Sequence, residues 1–377
     1  MADGLVATTL ATFLKLRGAD PQQIGLMITA TLLGSAFMTV VFGPRVRPPV
    51  LLRIGAAAMV VTGIAFAWVP WLLVLGLVAA IGPLNPSGGD VSPLLPAEQA
   101  LLAEASTPAN RTTMFARYNL VAFASAAIGS GLAGLPERIG RAFDWSRLAS
   151  LRMVFVFYAV AGLVAGLLYG PGAPRDPSSP KRPPKLDKSR RVVQRLTVLF
   201  AIDSAGGGLV GQAIVALWLA DRHHFSLGKL GLLFLFTQLL SATSALSAPR
   251  IAARIGLVRT MVFTHLPANF LLIGAALAPN GPTAVAFLLA RALLSQLDVP
   301  ARQSYVMSVV EPAERAAAAA YTNVARPLAG ATTPAIAGWL LKHSNFGWPL
   351  IIGGVMKAIY DLLLLAGFRH LRETPGV

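Results

Sequence analysis

The chain has 377 residues, 55% of them hydrophobic and 13% charged, and a mean hydropathy of +0.64, which leaves too little polar surface to cover a water-soluble protein of this size. A net charge of +16 and a pI near 11.1 would mark a soluble chain as a nucleic-acid binder, but in so apolar a sequence the charges report topology and no nucleic-acid partner is expected. The absence of cysteine excludes disulfides, thiol catalysis and cysteine-based metal sites.

A bilayer-spanning helix needs about 20 apolar residues, and the opening run, 3–16, is too short to cross unaided. Gly4-Leu5-Val6 lies 21 residues before Gly25, as Gly208-Leu209-Val210 lies 23 before Gly231. The beginning of the chain therefore aligns with the middle of the seventh span, and half a helix is expected upstream of Met1. A cleaved signal peptide is the rival reading, although no basic region precedes the run and Lys15 and Arg17 follow it. Eleven further spans are predicted over 22–43, 50–68, 71–89, 112–134, 151–170, 196–218, 229–248, 259–278, 282–300, 316–341 and 347–367. Their abundant glycine and proline are tolerated in lipid when neighbouring helices satisfy the freed backbone groups.

A repeat divides the chain. Asp90-Val91, Pro108-Ala109-Asn110-Arg111 and Asn119 are answered by Asp298-Val299, Pro312-Ala313-Glu314-Arg315 and Asn323, with eight residues from Arg to Asn in both copies. The domains expected are a six-helix bundle over 1–170, a basic proline-rich cytoplasmic linker over 171–195 and a second bundle over 196–377. With that linker inside, the inner segments carry 19 Lys and Arg, Arg302 among them, against 8 outside, so the C-terminus is placed in the cytoplasm.

Two six-helix halves joined by a cytoplasmic loop resemble the major facilitator superfamily over nearly the whole length. Ala253-Arg254-Ile255-Gly256-Leu257-Val258-Arg259 is similar to the family's basic loop motif, with Ala253 where an acid is usual, and Gly43-Pro44-Arg45-Val46-Arg47 is its more degraded counterpart. Arg291, after Phe287-Leu288-Leu289-Ala290, is similar to the intramembrane arginine motif moved from the fourth span to the tenth. The fifth-span glycine-proline motif is missing, since Gly129, Gly131 and Gly134 are followed by Leu135-Pro136. The segments around Asn85 to Asp90 and Asp298 to Tyr305 look like those of a bacterial branch of mostly uncharacterised members. The resemblance implies an all-α membrane protein of two pseudo-symmetric bundles, a multi-pass transporter in a bacterial inner membrane. Its partners would be a small solute and the bilayer, with no cofactor and a monomeric state.

Ionisable groups inside spans cost roughly 2.5–3.5 kcal/mol each at the bilayer centre, so each needs a partner or a water-filled cavity. Asp90 and Asp298, at the cytoplasmic ends of the fourth and tenth spans, lie near Arg45 and Arg47 and near Arg254 and Arg259. These six are read as a gate of ion pairs that form and break, or else as permanent helix-end salt bridges. Arg291, Arg326 and Asn323 fall mid-span and Arg117 and Asn119 nearer the cytoplasm; they are candidate solute contacts, or else interhelical clamps. Asp203, beside Gly206-Gly207-Gly208, is the candidate proton-coupling acid on a breakable helix, or else a structural partner of an arginine. Lys357 and Asp361, at i and i+4, are expected to neutralise each other on a peripheral span. His265 is read as a hydrogen-bonded packing residue without a functional role, and His223-His224 as loop rather than metal site.

Secondary active transport is favoured, since no phosphate-binding Gly-x4-Gly-Lys-Ser/Thr loop is present to use ATP. An enzyme is not expected, because neither His-Glu-x-x-His nor Gly-x-Ser-x-Gly occurs. A transport-inactive receptor or accessory protein remains open. Arg117, Arg291 and Arg326 against Asp203 leave a net central charge of +2, or +1 with Asp3, which favours an anionic solute over a cationic drug.

Overall fold

Hydrocarbon offers the backbone no hydrogen-bond partner, so a chain this apolar must close its N–H and C=O groups within each segment. The computed structural model does so with helices, and no strand occurs among the described residues, 1–42, 45–88, 94–107, 111–169 and 186–368. In chain order the helices are α1 (Ala2–Leu16), α2 (Pro21–Phe42), α3 (Pro48–Trp68), α4 (Leu72–Ile81), α5 (Leu95–Ala105), α6 (Arg111–Gly131), α7 (Leu135–Ala142), α8 (Arg147–Leu168) and α9 (Arg190–Gly208). They continue as α10 (Gln212–His223), α11 (Leu227–Ile255), α12 (Leu257–Leu277), α13 (Gly281–Leu294), α14 (Asp298–Val309), α15 (Arg315–Thr332), α16 (Pro334–His343) and α17 (Trp348–Phe368).

Among the described residues, nine helical segments are long and apolar enough to cross a bilayer. They match nine of the eleven predicted spans. The other two are split: α4 stops at Ile81, and α15 breaks at Thr333 before α16. Leu73 (80% exposed), Leu168 (81%) and Trp71 (68%) face outward, as lipid contact allows and water would penalise. Asp90, Pro108 to Asn110 and most of the predicted linker lie outside the described residues.

Four spans are interrupted, each for a local reason. The fourth unwinds over 82–88, where Asn85 Oδ1 accepts from the Ser87 hydroxyl at 2.7 Å in a tight turn about Pro86. The seventh breaks at 209–211, after three glycines. The tenth breaks at 295–297, where Pro300 clashes with continuation through the carbonyl four residues back. In the eleventh, Pro334 lacks the N–H that α15 would use, and Thr333 Oγ1 turns to the Ala205 carbonyl at 2.7 Å.

The chain forms two compact units. Unit one comprises Met1–Ser178, Gly211–Phe236 and Pro334–Asn345; unit two comprises Ser179–Val210, Thr237–Thr333 and Phe346–Val377. Unit one thus takes α10, the start of α11 and α16 from the second sequence half. Its core includes Phe13, Phe66 and Phe155, whose rings lie 4.5 and 4.9 Å apart about Phe155. Unit two centres on Phe200, Met261, Tyr305, Tyr360 and Leu364, drawn from α9, α12, α14 and α17.

Candidate functional site

Unit two buries a charge cluster built from four helices. Asp203 on α9 accepts from Lys357 Nζ of α17 at 2.6 Å and from Arg302 Nη1 of α14 at 3.3 Å. Arg302 also donates to Asp298 Oδ2, one turn earlier on α14, at 3.0 Å, and its guanidinium sits 5.6 Å from the centre of the Phe200 ring. His265 of α12 places Nδ1 3.0 and 3.1 Å from the two oxygens of Asp361 on α17, and Nε2 3.7 Å from Asp203 Oδ1. Asn269, one turn along α12, donates to Asp361 Oδ2 at 2.9 Å. Asp203, Asp298, Arg302, His265, Lys357, Asn269 and Asp361 are all buried. Three carboxylates are met by two permanent cations and one imidazole. Mutual pairing is what makes so many ionisable groups tolerable inside a membrane.

This arrangement corrects three expectations. Lys357 and Asp361 do not neutralise each other: from one face of α17 their side chains reach different neighbours, Asp203 and His265. The twelfth span is not peripheral in its chemistry, since α17 supplies Lys357, Tyr360 and Asp361 to the buried interior. Arg302, counted as an inner-surface charge, is buried within α14, whereas His265 is hydrogen-bonded to Asp361 and also approaches Asp203.

The structure brings Asp203 and Asp298 together through Arg302, and it aligns Arg291 of α13 and Arg326 of α15 with the same acids electrostatically. Both arginines are half-buried, their Nε atoms have no hydrogen-bond partner, and neither forms an ion pair among the described residues. Ser204 Oγ donates to the Arg326 carbonyl at 2.6 Å, which ties α9 to α15 beside the break in the seventh span. Asn323 lies on α15, with its side chain outside the described residues. Arg117 and Asn119 are exposed on α6. Arg45, Arg47, Arg254 and Arg259 are exposed as well; Arg45 donates to the Val41 carbonyl at 2.6 Å, and Asp298 pairs with Arg302 rather than with Arg254 or Arg259.

Unit one contains a second constellation that sequence reasoning missed. Gln212, the first residue of α10, sends Nε2 to Thr8 Oγ1 of α1 at 2.9 Å and to Ser130 Oγ of α6 at 3.2 Å. The Gln212 and Ala213 backbone N–H groups bond the Ser87 and Pro86 carbonyls at 3.1 Å, so the unwound part of the fourth span caps α10. Nearby, α2 and α16 meet backbone to backbone: a Cβ on Gly338 would lie 2.3 Å from the Pro21 carbonyl oxygen, and one on Gly25 2.4 Å from that of Pro334. Ion pairs Lys15–Asp221 at 2.5 Å and Lys342–Asp20 at 2.9 Å rim this end. The Lys342 ammonium and the Gln23 backbone N–H hold the Asp20 carboxyl below its ordinary value. Elsewhere in the unit, Glu98 accepts from the hydroxyls of Tyr118 and Tyr169. The only sequence signals for Gln212 and Gly338 were a glutamine and a glycine inside apolar runs, neither of which is diagnostic alone.

Comparison with known proteins agrees with this architecture. The chain is 25% identical to the uncharacterized membrane protein YJR124C of Saccharomyces cerevisiae, over 97% of this chain and 90% of that one, and 24% identical to the multidrug efflux protein YfmO of Bacillus subtilis, over 98% and 90%. Its fold is that of the xylose transporter XylE from E. coli (TM-score 0.75, 15% identity, 100% and 95% of the two chains) and of the nucleoside transporter NupG (0.72, 14%, 98% and 96%). The family model of the Major Facilitator Superfamily matches residues 1–297. The family match covers well over half of this helical, multi-pass chain, which therefore belongs to the major facilitator superfamily, a family of membrane transporters rather than enzymes.

Proposed function

We propose that the protein is a secondary active transporter that moves a small anionic or acid-bearing solute by alternating access, coupled to protons. The observation that carries this reading is the pair Arg291 and Arg326: two half-buried guanidiniums within spans, without ion-pair partners among the described residues. An unpaired cation in a bilayer is costly, and a carboxylate or phosphate on the solute offsets that cost through forked, charge-assisted hydrogen bonds. Arg117, Asn119 and Asn323 belong to the proposed solute path. The interrupted fourth and tenth spans, at corresponding positions of the two halves, support a binding site near the midplane.

Asp203 is the proposed coupling residue, placed beside the break in the seventh span and shared between Lys357 and Arg302. The Gln212 and Gly25–Gly338 contacts seal one end of unit one, which we assign to the outer side, with the C-terminus cytoplasmic and the membrane the inner membrane of a bacterium. Asp90 and Asp298, with Arg45, Arg47, Arg254 and Arg259, form the proposed inner gate when that side closes, a state in which Asp298 exchanges Arg302 for a loop arginine. The functional protein is a monomer of two sequence bundles, 1–170 and 196–377, joined by the linker 171–195.

Cationic drug efflux is the second reading, favoured by the YfmO likeness, in which Asp203 would hold the cation. Its weakness is that Asp203 already carries two cationic partners. Proteoliposomes of the full chain with a trapped pH dye separate the two. Small organic anions should drive proton movement that Asp203→Asn abolishes; proton movement driven only by lipophilic cations would replace the anion reading.

A further inference from the structure

We propose that His265 Nε2 is the proton-binding atom of the buried cluster, and that its protonation draws Asp203 away from Lys357 and Arg302. This rests on the proton-coupled reading above and assigns the proton to a different atom from the coupling carboxylate. The geometry is the reason. Nδ1 faces both oxygens of Asp361 at 3.0 and 3.1 Å; Asn269 Nδ2, 3.2 Å from the same atom, makes its shorter bond to Asp361 Oδ2 at 2.9 Å, so the single proton of a neutral ring is assigned to Nδ1. That leaves Nε2 unprotonated 3.7 Å from Asp203 Oδ1, a contact with no hydrogen bond in it. Adding a proton at Nε2 converts it into an ion pair, and only the imidazolium can donate to Asp361 and Asp203 together.

The surroundings favour a reversible proton there. Around the ring, α9 presents Asp203, α12 Asn269, α14 Asp298 and Arg302, and α17 Lys357, Tyr360 and Asp361, with Arg291 of α13 and Arg326 of α15 acting on the same acids. Asp203, Asp298 and Asp361 against Arg302 and Lys357 leave the bonded cluster at −1 with a neutral ring and at zero with a charged one. Asp203 Oδ1 is also the atom that Lys357 holds at 2.6 Å, so the imidazolium competes with Lys357 for one oxygen. Asp203 lies next to Ser204, which bonds the Arg326 carbonyl at 2.6 Å, and Ala205, whose carbonyl takes Thr333 Oγ1 at 2.7 Å. A change of partner at Asp203 is therefore felt at the seventh-span break and at the backbone of a proposed solute arginine.

The test is nitrogen-15 NMR of histidine-labelled full-length protein in nanodiscs, at alkaline and acid pH. The chain has five histidines, so replacing His223, His224, His343 and His370 leaves His265 as the sole signal, and His265→Gln confirms it in the parent. The expected result is an Nδ1–H tautomer at alkaline pH that gains its second proton at Nε2 on acidification, with proton affinity lowered roughly tenfold or more in Asp203→Asn. A ring that keeps one protonation state throughout, has Nε2–H when neutral, or is indifferent to Asp203→Asn would overturn the inference and leave anion transport standing. A ring that titrates as expected in a protein whose anion flux moves no protons upholds the proton site and overturns the coupled reading instead.

Discussion

Asp203 holds two cations with one carboxylate, Lys357 on Oδ1 and Arg302 on Oδ2, and this doubling governs what each substitution does. Removing one member of a buried ion pair leaves its partner charged and unpaired, at a cost of about 3–5 kcal/mol. Lys357→Ala leaves Asp203 with Arg302 as its remaining partner, so it should destabilise unit two by less than that, read as a drop in thermal midpoint in detergent, and Lys357→Ala with Asp203→Asn should recover part of the loss. Equal, additive losses would mean that the pair is not energetically coupled. The acids of this site were visible in the sequence because charge is rare within an apolar run, but their partners were not. Lys357 and Asp361 have the spacing of a helix pair, and the choice between that pair and two long-range ones depends on which helices pack beside α17. Arg302 was hidden for a related reason, because four residues beyond Asp298 it looked like surface charge until the tenth span proved to continue as α14.

At the scale of elements, the start of α9 depends on a single carboxylate. Glu314 Oε1 accepts from the Asp187 and Lys188 backbone N–H groups at 2.9 and 3.1 Å, and Oε2 from that of Ser189 at 2.9 Å, which satisfies donors that a helix N-terminus leaves open. These bonds, Ser189's first, hold the Glu314 carboxyl below its ordinary value. A lowered carboxyl contributes stability that is complete above the ordinary value and is lost as pH falls through the lowered one. Amide protection at 187–189, taken relative to the intrinsic exchange rate at each pH, should thus fall at acid pH and be low at all pH in Glu314→Gln; high protection in that variant would remove Glu314 as the cap. The same Pro-Ala-Glu-Arg copy of the repeat was read from the sequence only as a marker of duplication. Its role emerged because the loop before the eleventh span folds back on the start of the seventh.

The α2–α16 seal makes a second prediction at this scale. Gly338→Val adds a side chain where even a Cβ would sit 2.3 Å from a carbonyl oxygen, so the two backbones must part. Cysteines at Gln22 and Lys342, whose side chains meet at 3.3 Å, should cross-link readily in this cysteine-free chain and several-fold more slowly with Gly338→Val added. An unchanged rate would show that the seal does not rest on that contact.

For the whole molecule, hydropathy located nearly every span because a bilayer allows few alternatives to a 20-residue apolar helix. It erred only where helices are interrupted, since proline, glycine and a capping threonine act on a few residues that an averaging window smooths over. What the spans bring together was less legible, because apolar runs do not record which of their faces meet. The proposal that the solute is an anion held by Arg291 and Arg326 depends on that packing, and thermal stabilisation tests it most directly, since any ligand selective for the folded state raises its midpoint. Matched panels of small organic anions and cations should be screened against the parent, Arg291→Ala, Arg326→Ala and Asp203→Asn. At least one anion should stabilise the parent and lose that effect in both arginine variants. Stabilisation by a cation that persists without either arginine and disappears in Asp203→Asn would contradict the account.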